Sequence, residues 1–471
     1  MTFQFRDYQE KAIETGVRFF EKNSGKNEIE VLPTGAGKSL VIAGISTNAK
    51  GNTLVLQPSK EILEQNYKKA QKLLTGEFKF GNYDLGVYSA SVGVKRISKI
   101  TFATIGSIVK KPELFRHFDR IIQDECDLTN AKGGMYANFF NKLGKPVMGL
   151  TATPYRLHPP TTYNNSVLKM LHRTRPRQFY GLSHITQPRE LVERGYLCPL
   201  RYHRAEFDAA QLTLNSTGAE FTDDSVKHYA HETGTISKII RIVKDVTAPS
   251  ILIFVNSLDE ARTLHNRLLA NNMESVVLTG ETPKDEREHI LADFTTQKQR
   301  ILINVGVLTV GFDYTALTCI IMARITNSLR LYYQIGGRGQ RISPETGKEY
   351  CDFFDLGGNV QRFGKIEDFE IVGPAGKERL KCGGKFLTGV DLKTGLDLEQ
   401  KRENESLQLA ETDDLVVHFG KHKGQKINTL PRDYLQWIAD NFSDGAFKKA
   451  ATTELARRAG SGLRMGGLNG A

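Results

Sequence analysis

The sequence predicts an α/β protein with two tandem domains, each a parallel sheet flanked by helices, and a small C-terminal α+β module. Its 471 residues exceed the usual size of one domain. Short apolar runs alternate with helical patterns in two separate series, and after about residue 372 the composition becomes Gly-rich and then acidic. We therefore predict domains at residues 1–204 and 205–372, a linker at 373–414 and a basic module at 415–471.

The apolar runs of the first series predict one parallel sheet. The intervals between them are long enough for crossover helices, which parallel neighbours require. These runs lie at residues 29–32, 53–56, 100–103, 120–123 and 146–150. The second series predicts another parallel sheet, with strands at residues 250–255, 274–278, 300–305 and 318–322 and a helix at 258–270. In the last module, residues 416–419 predict a strand, and residues 434–439 predict an amphipathic helix that holds the only Trp.

The balance of charge indicates a polyanionic partner, commonly nucleic acid. The chain has a net charge of +11 and a pI of about 9.2. Residues 156–204 hold nine Lys or Arg against two Glu, and residues 415–471 hold nine against four acidic residues. Each stretch is either a solvated face or a candidate contact surface for a duplex or a junction.

Composition argues against several other classes of protein. The five cysteines are scattered and none forms a Cys-x-x-Cys pair, which disfavours both a disulfide framework and a zinc site. Buried free thiols are expected instead. No run of about 18 apolar residues predicts a membrane helix, and the N-terminus has no basic-then-apolar signal pattern. We expect a cytoplasmic protein without a membrane partner.

A Gly-rich turn between the first predicted strand and a predicted helix is typical of a phosphate-binding loop. Glycines let backbone N–H groups approach phosphates closely, and the helix N-terminus adds positive charge. Lys38 is expected to reach the β- and γ-phosphates of ATP, and the Ser39 hydroxyl to ligate Mg²⁺. Leu32 replaces the first Gly of the full pattern. The predicted ATP contacts in this turn are Thr34, Gly35, Ala36, Gly37, Lys38 and Ser39.

An acidic pair, Asp124 and Glu125, follows the apolar residues of the fourth predicted strand. Ligands of open α/β sheets bind at the carboxyl ends of the strands, so both carboxylates are expected to face the nucleotide. Asp124 is predicted to hold Mg²⁺, and Glu125 to orient or deprotonate the attacking water.

With these elements in place, ordered motifs between residues 6 and 341 resemble those of superfamily 2 helicases. The first half has an adenine-reading element at residues 6–9, motif Ia at 56–63, a further strand-contacting motif at 103–107 and motif III at 151–154. The second half has motif IV at residues 253–256, motif V at 307–313 and motif VI at 334–341. The resemblance implies two RecA-like lobes that hydrolyse ATP between them and move along nucleic acid.

The resemblance also implies a role for each motif. Arg6, Gln9, Gly311 and Asp313 are expected to contact the nucleotide. Gln334 is expected to contact the nucleotide or water, and Arg338 and Arg341 to act as arginine fingers on the γ-phosphate. The residues expected to grip the nucleic-acid backbone are Pro58, Ser59, Thr104, Ser107, Asn256 and Thr309. Asp127, Thr151 and Thr153 are expected to couple hydrolysis to movement.

Within the superfamily, residues 150–157, 279–283 and 307–313 most resemble the RadD-like bacterial DNA-repair helicases, with phage branch-migration helicases nearby. This implies single-stranded or branched DNA as substrate, partner proteins of repair or replication, and 3′–5′ movement. Motif II ends in Asp127 where this group usually has His, and the carboxylate is expected to accept a hydrogen bond from Thr151 or Thr153. Residues from about 415 resemble a small module found behind some DnaQ-type exonucleases.

Three alternatives fit the same motifs: an RNA helicase, a restriction-type motor subunit acting with a separate nuclease, and a nucleotide-gated DNA clamp. Phosphate contacts discriminate poorly between DNA and RNA, so the core motifs do not exclude an RNA substrate. The clamp is disfavoured because it needs no hydrolytic Glu125. For the C-terminal module, DNA binding, partner docking and simple packing are all open.

Overall fold

The computed structural model describes residues 4–22, 24–75, 84–160, 165–308, 313–392, 394–401, 415–442 and 446–462. The chain divides into two compact units, Met1–Thr394 and Gly395–Ala471. The first unit contains two lobes, each built on a sheet that is mostly or entirely parallel, as predicted. None of the described helices is both long and apolar enough to cross a membrane.

The first lobe is an eight-stranded sheet with a separate strand pair. Its strands are β1 (Glu28–Val31), β2 (Thr53–Gln57), β3 (Leu85–Ser89), β4 (Val94–Arg96), β5 (Ile100–Thr104), β6 (Arg120–Asp124), β7 (Val147–Thr151), β8 (Tyr155–His158), β9 (Val167–Met170) and β10 (Gly181–Ile185). The sheet order is β10-β1-β7-β6-β2-β5-β3-β4, with only β4 antiparallel to its neighbour. Strands β8 and β9 pair antiparallel outside this sheet. All five predicted apolar runs fall on observed strands.

Helices cover both faces of this sheet. They are α1 (Asp7–Lys22), α2 (Lys38–Asn48), α3 (Lys60–Thr75), α4 (Ile105–Ile108), α5 (Met135–Leu143) and α6 (Pro188–Glu193). The first two helices pack closely because α2 has Gly44 at the contact: a Cβ there would lie 2.3 Å from Ile13 Cδ1. This packing fixes the N-terminal helix against the helix that starts at the phosphate-binding turn.

The second lobe is a six-stranded parallel sheet. Its strands are β11 (Leu200–Arg204), β12 (Ile251–Phe254), β13 (Val276–Leu278), β14 (Ile301–Asn304), β15 (Cys319–Met322) and β16 (Cys351–Asp355), in the order β11-β16-β15-β12-β14-β13. Its helices are α7 (Asp223–Glu232), α8 (Thr235–Asp245), α9 (Leu258–Leu269), α10 (Lys284–Thr295), α11 (Leu329–Gly339) and α12 (Asn359–Phe363). Because β11 pairs with β16, this sheet begins before residue 205, where the sequence predicts the domain boundary.

The prediction of a linker from residue 373 is wrong for its first part. Strands β17 (Phe369–Val372), β18 (Arg379–Cys382) and β19 (Lys385–Phe386) form an antiparallel sheet of the first unit. The Gly-rich composition comes from a hairpin turn: Gly383 and Gly384 join β18 to β19 with φ of +53° and +84°. Both central residues of such a turn need positive φ, which Gly adopts without strain.

The second unit has helices α13 (Arg432–Asn441) and α14 (Ala446–Gly462) around a small core. The core residues are Val417, Ile427, Leu430, Leu435, Ile438, Ala450 and Ala451. The predicted helix at 434–439 is confirmed. The predicted strand at 416–419 is wrong, because this segment forms only an isolated bridge between Val416 and Lys426. The five cysteines are buried free thiols, as predicted.

Candidate nucleotide-binding and catalytic site

The phosphate-binding turn joins the carboxyl end of β1 to the N-terminus of α2. Gly35 and Gly37 have φ of +87° and +82°, a region that residues with a Cβ rarely adopt. A Cβ on Gly37 would also lie 2.5 Å from Gln9 Nε2. The turn therefore brings the N-terminus of an 11-residue helix to the cleft, which is the arrangement that binds phosphate.

Gln9 holds this turn from behind. Its side chain is only 3% exposed; Nε2 donates to the Ala36 carbonyl (3.0 Å), and Oε1 accepts from the Arg6 backbone N–H (3.1 Å). The Tyr8 hydroxyl donates to the same Ala36 carbonyl (2.9 Å). The Arg6 guanidinium lies over the Tyr196 ring, 4.6 Å from its centroid. Arg6 and Tyr196 thus line the cleft as a flat cationic and aromatic wall, which suits a purine base.

The Lys38 ammonium and the Glu125 carboxylate form an ion pair of 2.9 Å (Nζ to Oε1) at the base of the cleft. Glu125 follows β6 directly and has a left-handed backbone, with φ of +49°. Burial opposes ionisation of Glu125, but the charges of Lys38 and Arg330 and the hydrogen bonds to Lys38 and Asp127 together outweigh it and lower the pKa of the carboxyl. Burial, together with the charge of Glu125, raises the pKa of Asp124 to about 6.

Asn66 of α3 connects the two predicted magnesium ligands. The Ser39 hydroxyl donates to Asn66 Oδ1 (2.5 Å), and Asn66 Nδ2 donates to Asp124 Oδ2 (2.7 Å). The Ser39 hydroxyl and the Asp124 carboxylate are therefore bridged by the side-chain amide of Asn66. Such hard oxygen donors, with room for water and phosphate oxygens beside them, fit Mg²⁺.

Replacing Asn66 with Ala is expected to raise the Mg²⁺ concentration needed for half-maximal ATP hydrolysis by roughly 10-fold, because metal ligands lose affinity without their supporting hydrogen bonds. The measurement is a Mg²⁺ titration of hydrolysis, with binding of a fluorescent ATP analogue as a second readout. Asn141, exposed on α5, gives the matched control Asn141→Ala. An unchanged Mg²⁺ requirement in Asn66→Ala would contradict the assigned role.

The second lobe supplies the opposite wall of the same cleft, from α11 and the residues after it. Gln334, Arg338 and Arg341 line the cleft together with Lys38 and Glu125. Arg338 is only 3% exposed, and burial, followed by repulsion from Arg341, lowers its pKa to about 9. Guanidinium groups from one lobe thus face the phosphate-binding turn of the other.

The two walls are in direct contact. A Cβ on Gly337 would lie 2.5 Å from the Cβ of Thr34 in the phosphate-binding turn. Asp313 accepts from Arg341 (Oδ1 to Nη1, 3.0 Å) and from Lys69 of the first lobe (Oδ2 to Nζ, 2.8 Å). Asp313 therefore links the lobes through ion pairs at the cleft mouth. Gly311, the other nucleotide contact predicted from motif V, lies outside the described residues.

Asp127 forms a second connection between the lobes. Its Oδ1 accepts from the Thr151 hydroxyl (2.9 Å), and the Thr153 backbone N–H donates to the same hydroxyl (3.0 Å). Its Oδ2 pairs with Nε of Arg330 on α11. Where the resembling group usually has His, this chain has a carboxylate that contacts both a motif III threonine and a cation of the other lobe.

The residues predicted to grip nucleic acid follow the carboxyl ends of three strands. Thr104 and Ser107, at the end of β5, hydrogen-bond to each other (Oγ1 to Oγ, 2.8 Å). Ser59 caps α3 by accepting from the Ile62 N–H (3.4 Å), beside half-buried Pro58. The amide of Asn256 donates to Glu260 (3.0 Å) and accepts from the Ile325 N–H (2.9 Å), so it stabilises the loop after β12. Thr309 lies outside the described residues.

The basic stretch 156–204 is partly used inside the first unit. Three of its arginines form ion pairs: Arg189 with Asp368, Arg194 with Asp7 and Arg201 with Asp352. These side chains hold neighbouring elements together, which leaves fewer of the nine cations to meet a polyanion.

Sequence reasoning missed four residues of this site: Asn66, Lys69, Tyr196 and Arg330. For Arg330 a signal was present, because Arg330, Gln334 and Arg338 are spaced by four and lie on one face of α11. The other three lie in no recognised motif, and only the fold brings them to the cleft.

Two family models match the chain. The model described as "Type III restriction enzyme, res subunit" matches residues 2–156, and "Helicase conserved C-terminal domain" matches residues 234–343. The first range holds the phosphate-binding turn and the acidic pair. The second holds Gln334, Arg338 and Arg341, so the two matched ranges supply the two walls of the cleft.

Known relatives share about a quarter of their aligned residues with the chain. A 51.5 kDa protein of a Lactococcus phage is 24% identical over 358 residues, which cover 69% of each protein. DNA 3'-5' translocase XPB2 of Sulfurisphaera tokodaii is 24% identical over 364 residues, 71% of this chain and 78% of that protein. The putative ATP-dependent helicase IRC3 of Saccharomyces cerevisiae is 21% identical over 376 residues, 74% of this chain but only 51% of that protein.

Solved structures share the fold. A fragment of a putative HsdR subunit of a type I restriction enzyme from Vibrio vulnificus has a TM-score of 0.56 at 22% identity, covering 76% of this chain and 65% of that one. The Type ISP restriction-modification enzyme LlaBIII bound to DNA has a TM-score of 0.54 at 14% identity, covering 97% of this chain and 33% of that one. The chain therefore spans only part of the length of these two proteins.

Proposed function

Because the chain belongs to the superfamily 2 helicases, we propose that it hydrolyses ATP between its two RecA-like lobes in order to move along DNA. One observation carries the proposal: Lys38, Glu125 and Arg338 line a single cleft although they come from opposite lobes. A hydrolytic carboxylate and a guanidinium meet there only when the lobes are closed, so turnover is tied to the relative movement of the lobes.

The chemical roles follow from the contacts. Lys38 binds the β- and γ-phosphates and thereby gives up its ion pair with Glu125. The released Glu125 carboxylate orients the attacking water and takes its proton. Arg338 and Arg341 stabilise the negative charge that develops on the γ-phosphoryl group. Ser39 and Asp124 would hold Mg²⁺, which would neutralise phosphate charge.

We propose the carboxyl ends of β2, β5 and β12 as the surface that follows one strand. Hydroxyl groups there, on Ser59, Thr104 and Ser107, suit phosphate oxygens rather than base edges, which gives tracking independent of sequence. DNA is preferred to RNA because the XPB2 relative is named a DNA 3'-5' translocase. Movement in the 3′–5′ direction is proposed on the same ground.

A RadD-like role in repair or recombination, on forks or junctions, is the finer proposal. It rests on the sequence likeness of residues 150–157, 279–283 and 307–313. A second candidate function is a motor subunit that acts with a separate nuclease chain. The match of residues 2–156 to the Type III restriction res subunit model favours it. The two differ in whether DNA alone stimulates hydrolysis.

The test is ATP hydrolysis by the purified chain on single-stranded DNA, duplex, four-way junction and matched RNA, with Glu125→Gln as control. Stimulation by DNA and not by RNA, lost in the variant, supports a DNA motor, and the best activator identifies its substrate. Equal or greater stimulation by RNA contradicts the DNA proposal while leaving the ATP site intact. Stimulation that requires an added nuclease chain favours the motor subunit.

Asp127 and Arg330 are expected to act as one coupling unit. Asp127→Asn and Arg330→Gln should each lower nucleic-acid-stimulated kcat by roughly 10-fold, and the double variant should be no worse than either, because both singles remove the same contact. The control is the exposed pair Glu14–Arg18 of α1, whose Glu14→Gln and Arg18→Gln variants should leave kcat unchanged. Losses that add in the Asp127/Arg330 double variant would contradict the coupling.

A further inference from the structure

The second unit presents a row of three rings on its surface, formed by His422, Tyr434 and Trp437. The His422 and Tyr434 ring centroids are 4.5 Å apart, and those of Tyr434 and Trp437 are 5.4 Å apart with planes only 22° from parallel. Trp437 is 46% exposed. A large apolar ring is more often buried, so this aromatic row is a surface feature that needs a reason.

The fold holds the row in place. Tyr434 and Trp437 are three residues apart on α13 and therefore share one helix face, while Leu435 and Ile438 of the same helix enter the core. The Tyr434 hydroxyl reaches Gly420, where a Cβ would lie 2.5 Å from it and where φ is +63°. The loop thus accommodates the ring edge with a glycine, and Tyr434 lies between the His422 and Trp437 rings, which leaves Trp437 as the exposed end of the row.

Lysine side chains border the aromatic row. The loop that carries these lysines, residues 415–432, contains no acidic residue. Lys421 and Lys423 are exposed on either side of His422, and the Lys421 ammonium is 5.8 Å from the Tyr434 ring centroid. Asp433 and Asp440 lie on α13, so the positive charge is concentrated on the loop side of the rings.

We propose that this surface is a binding site for single-stranded nucleic acid, separate from the motor. Bases stack on the exposed Trp437 ring, which Tyr434 supports from its other side, and the phosphates beside them pair with Lys421 and Lys423. Stacked rings beside lysines suit an unpaired strand, because the bases of a duplex are already stacked and have no free faces. A polyanion without bases would contact the lysines only and would not stack on the rings. DNA and RNA share this chemistry, and the inference does not depend on which of them the motor follows.

The full chain carries its own probe, because Trp437 is its only Trp. We expect oligo-dT and oligo-rU to quench the Trp437 emission, and the tighter of the two to identify the ligand. Matched duplex and heparin should not quench it. The quenching should persist in Glu125→Gln and without ATP, since the motor is not needed. The proposal would be overturned if neither oligo-dT nor oligo-rU quenched the Trp437 emission. It would also be overturned if duplex or heparin quenched the emission as strongly as a single strand does.

Variants separate stacking from charge. Tyr434→Ala should weaken the binding measured by quenching by about 10-fold or more, whereas Tyr434→Phe, which keeps the ring, should bind as the native chain does. The double variant Lys421→Gln/Lys423→Gln should reduce the magnitude of the slope of log K against log salt by about 1.4. Native binding by Tyr434→Ala, with folding checked by circular dichroism, would contradict stacking. Trp437→Ala should leave basal ATP hydrolysis unchanged, so a failed motor and a failed strand site are distinguished.

Discussion

Glu125→Gln is expected to lower ATP hydrolysis by at least about 100-fold and to leave ATP bound, because the variant keeps the shape of the side chain and loses only its basicity. Glu125 is the only carboxylate paired with Lys38 among the ion pairs of the described residues, and it lies at the base of the cleft. Glutamine cannot accept the proton of the attacking water, whatever its position.

The measurement is single-turnover hydrolysis together with binding of a fluorescent ATP analogue. Glu21→Gln, an exposed change of the same kind on α1, is the control and should be silent. Binding of the analogue should be retained or strengthened in Glu125→Gln, because Lys38 no longer has to leave an ion pair to reach the phosphates. Hydrolysis within a few-fold of the native rate would show that another residue activates the water.

The cleft-lining residues that the sequence could predict are those whose geometry depends on their neighbours along the chain. The turn at residues 34–39 and the pair Asp124–Glu125 could be predicted because each is a contiguous strand-to-loop element, and its neighbours along the chain determine its geometry. Asn66 and Tyr196 could not. Each reaches the cleft through the packing of a whole helix or loop, and neither follows a spacing that a single sequence reveals.

Strands could likewise be predicted where their own residues form an apolar run, and not where pairing with a distant strand determines them. Continuous apolar runs gave nine strands of the two parallel sheets, since strands buried on both faces are apolar throughout. Strand β10 was missed because Ser183 and His184 interrupt its apolar pattern, although it pairs with β1 along its length. Gly383 and Gly384 led to the prediction of a linker because a Gly pair in a hairpin and a Gly pair in a linker have the same composition.

Asp127 stands where the resembling helicases usually have His, and its contacts in the structure explain why a carboxylate is useful at this position. The sequence predicts only that its carboxylate accepts a bond from a threonine, and the Thr151 hydroxyl provides that bond. The pair with Arg330 adds the second lobe. A neutral His at this position would have no charge to hold the guanidinium, so the acidic residue and Arg330 are understandable only together.

Replacing Arg338 with Gln is expected to lower the rate of ATP hydrolysis by about 1000-fold or more, the usual effect of removing an arginine finger. The fold should tolerate the change. Burial and the charge of Arg341 lower the Arg338 pKa to about 9, so the folded protein disfavours this cation before a phosphate arrives, and removing it should leave the melting temperature unchanged or slightly raised.

The combination of lost turnover and retained stability distinguishes a role in the transition state from a role in folding. Arg338→Lys should not rescue hydrolysis, because an ammonium cannot offer two parallel donors to the phosphoryl oxygens. Arg267→Gln, exposed on α9, is the matched control and should behave as the native chain does. If Arg338→Gln melts several degrees lower and Arg338→Lys restores both stability and hydrolysis, the guanidinium serves the closed fold and Arg341 alone faces the γ-phosphate. If stability is kept and neither variant hydrolyses ATP, catalysis depends on a group that enters the site only when the second lobe closes on the first, so hydrolysis itself reports lobe closure.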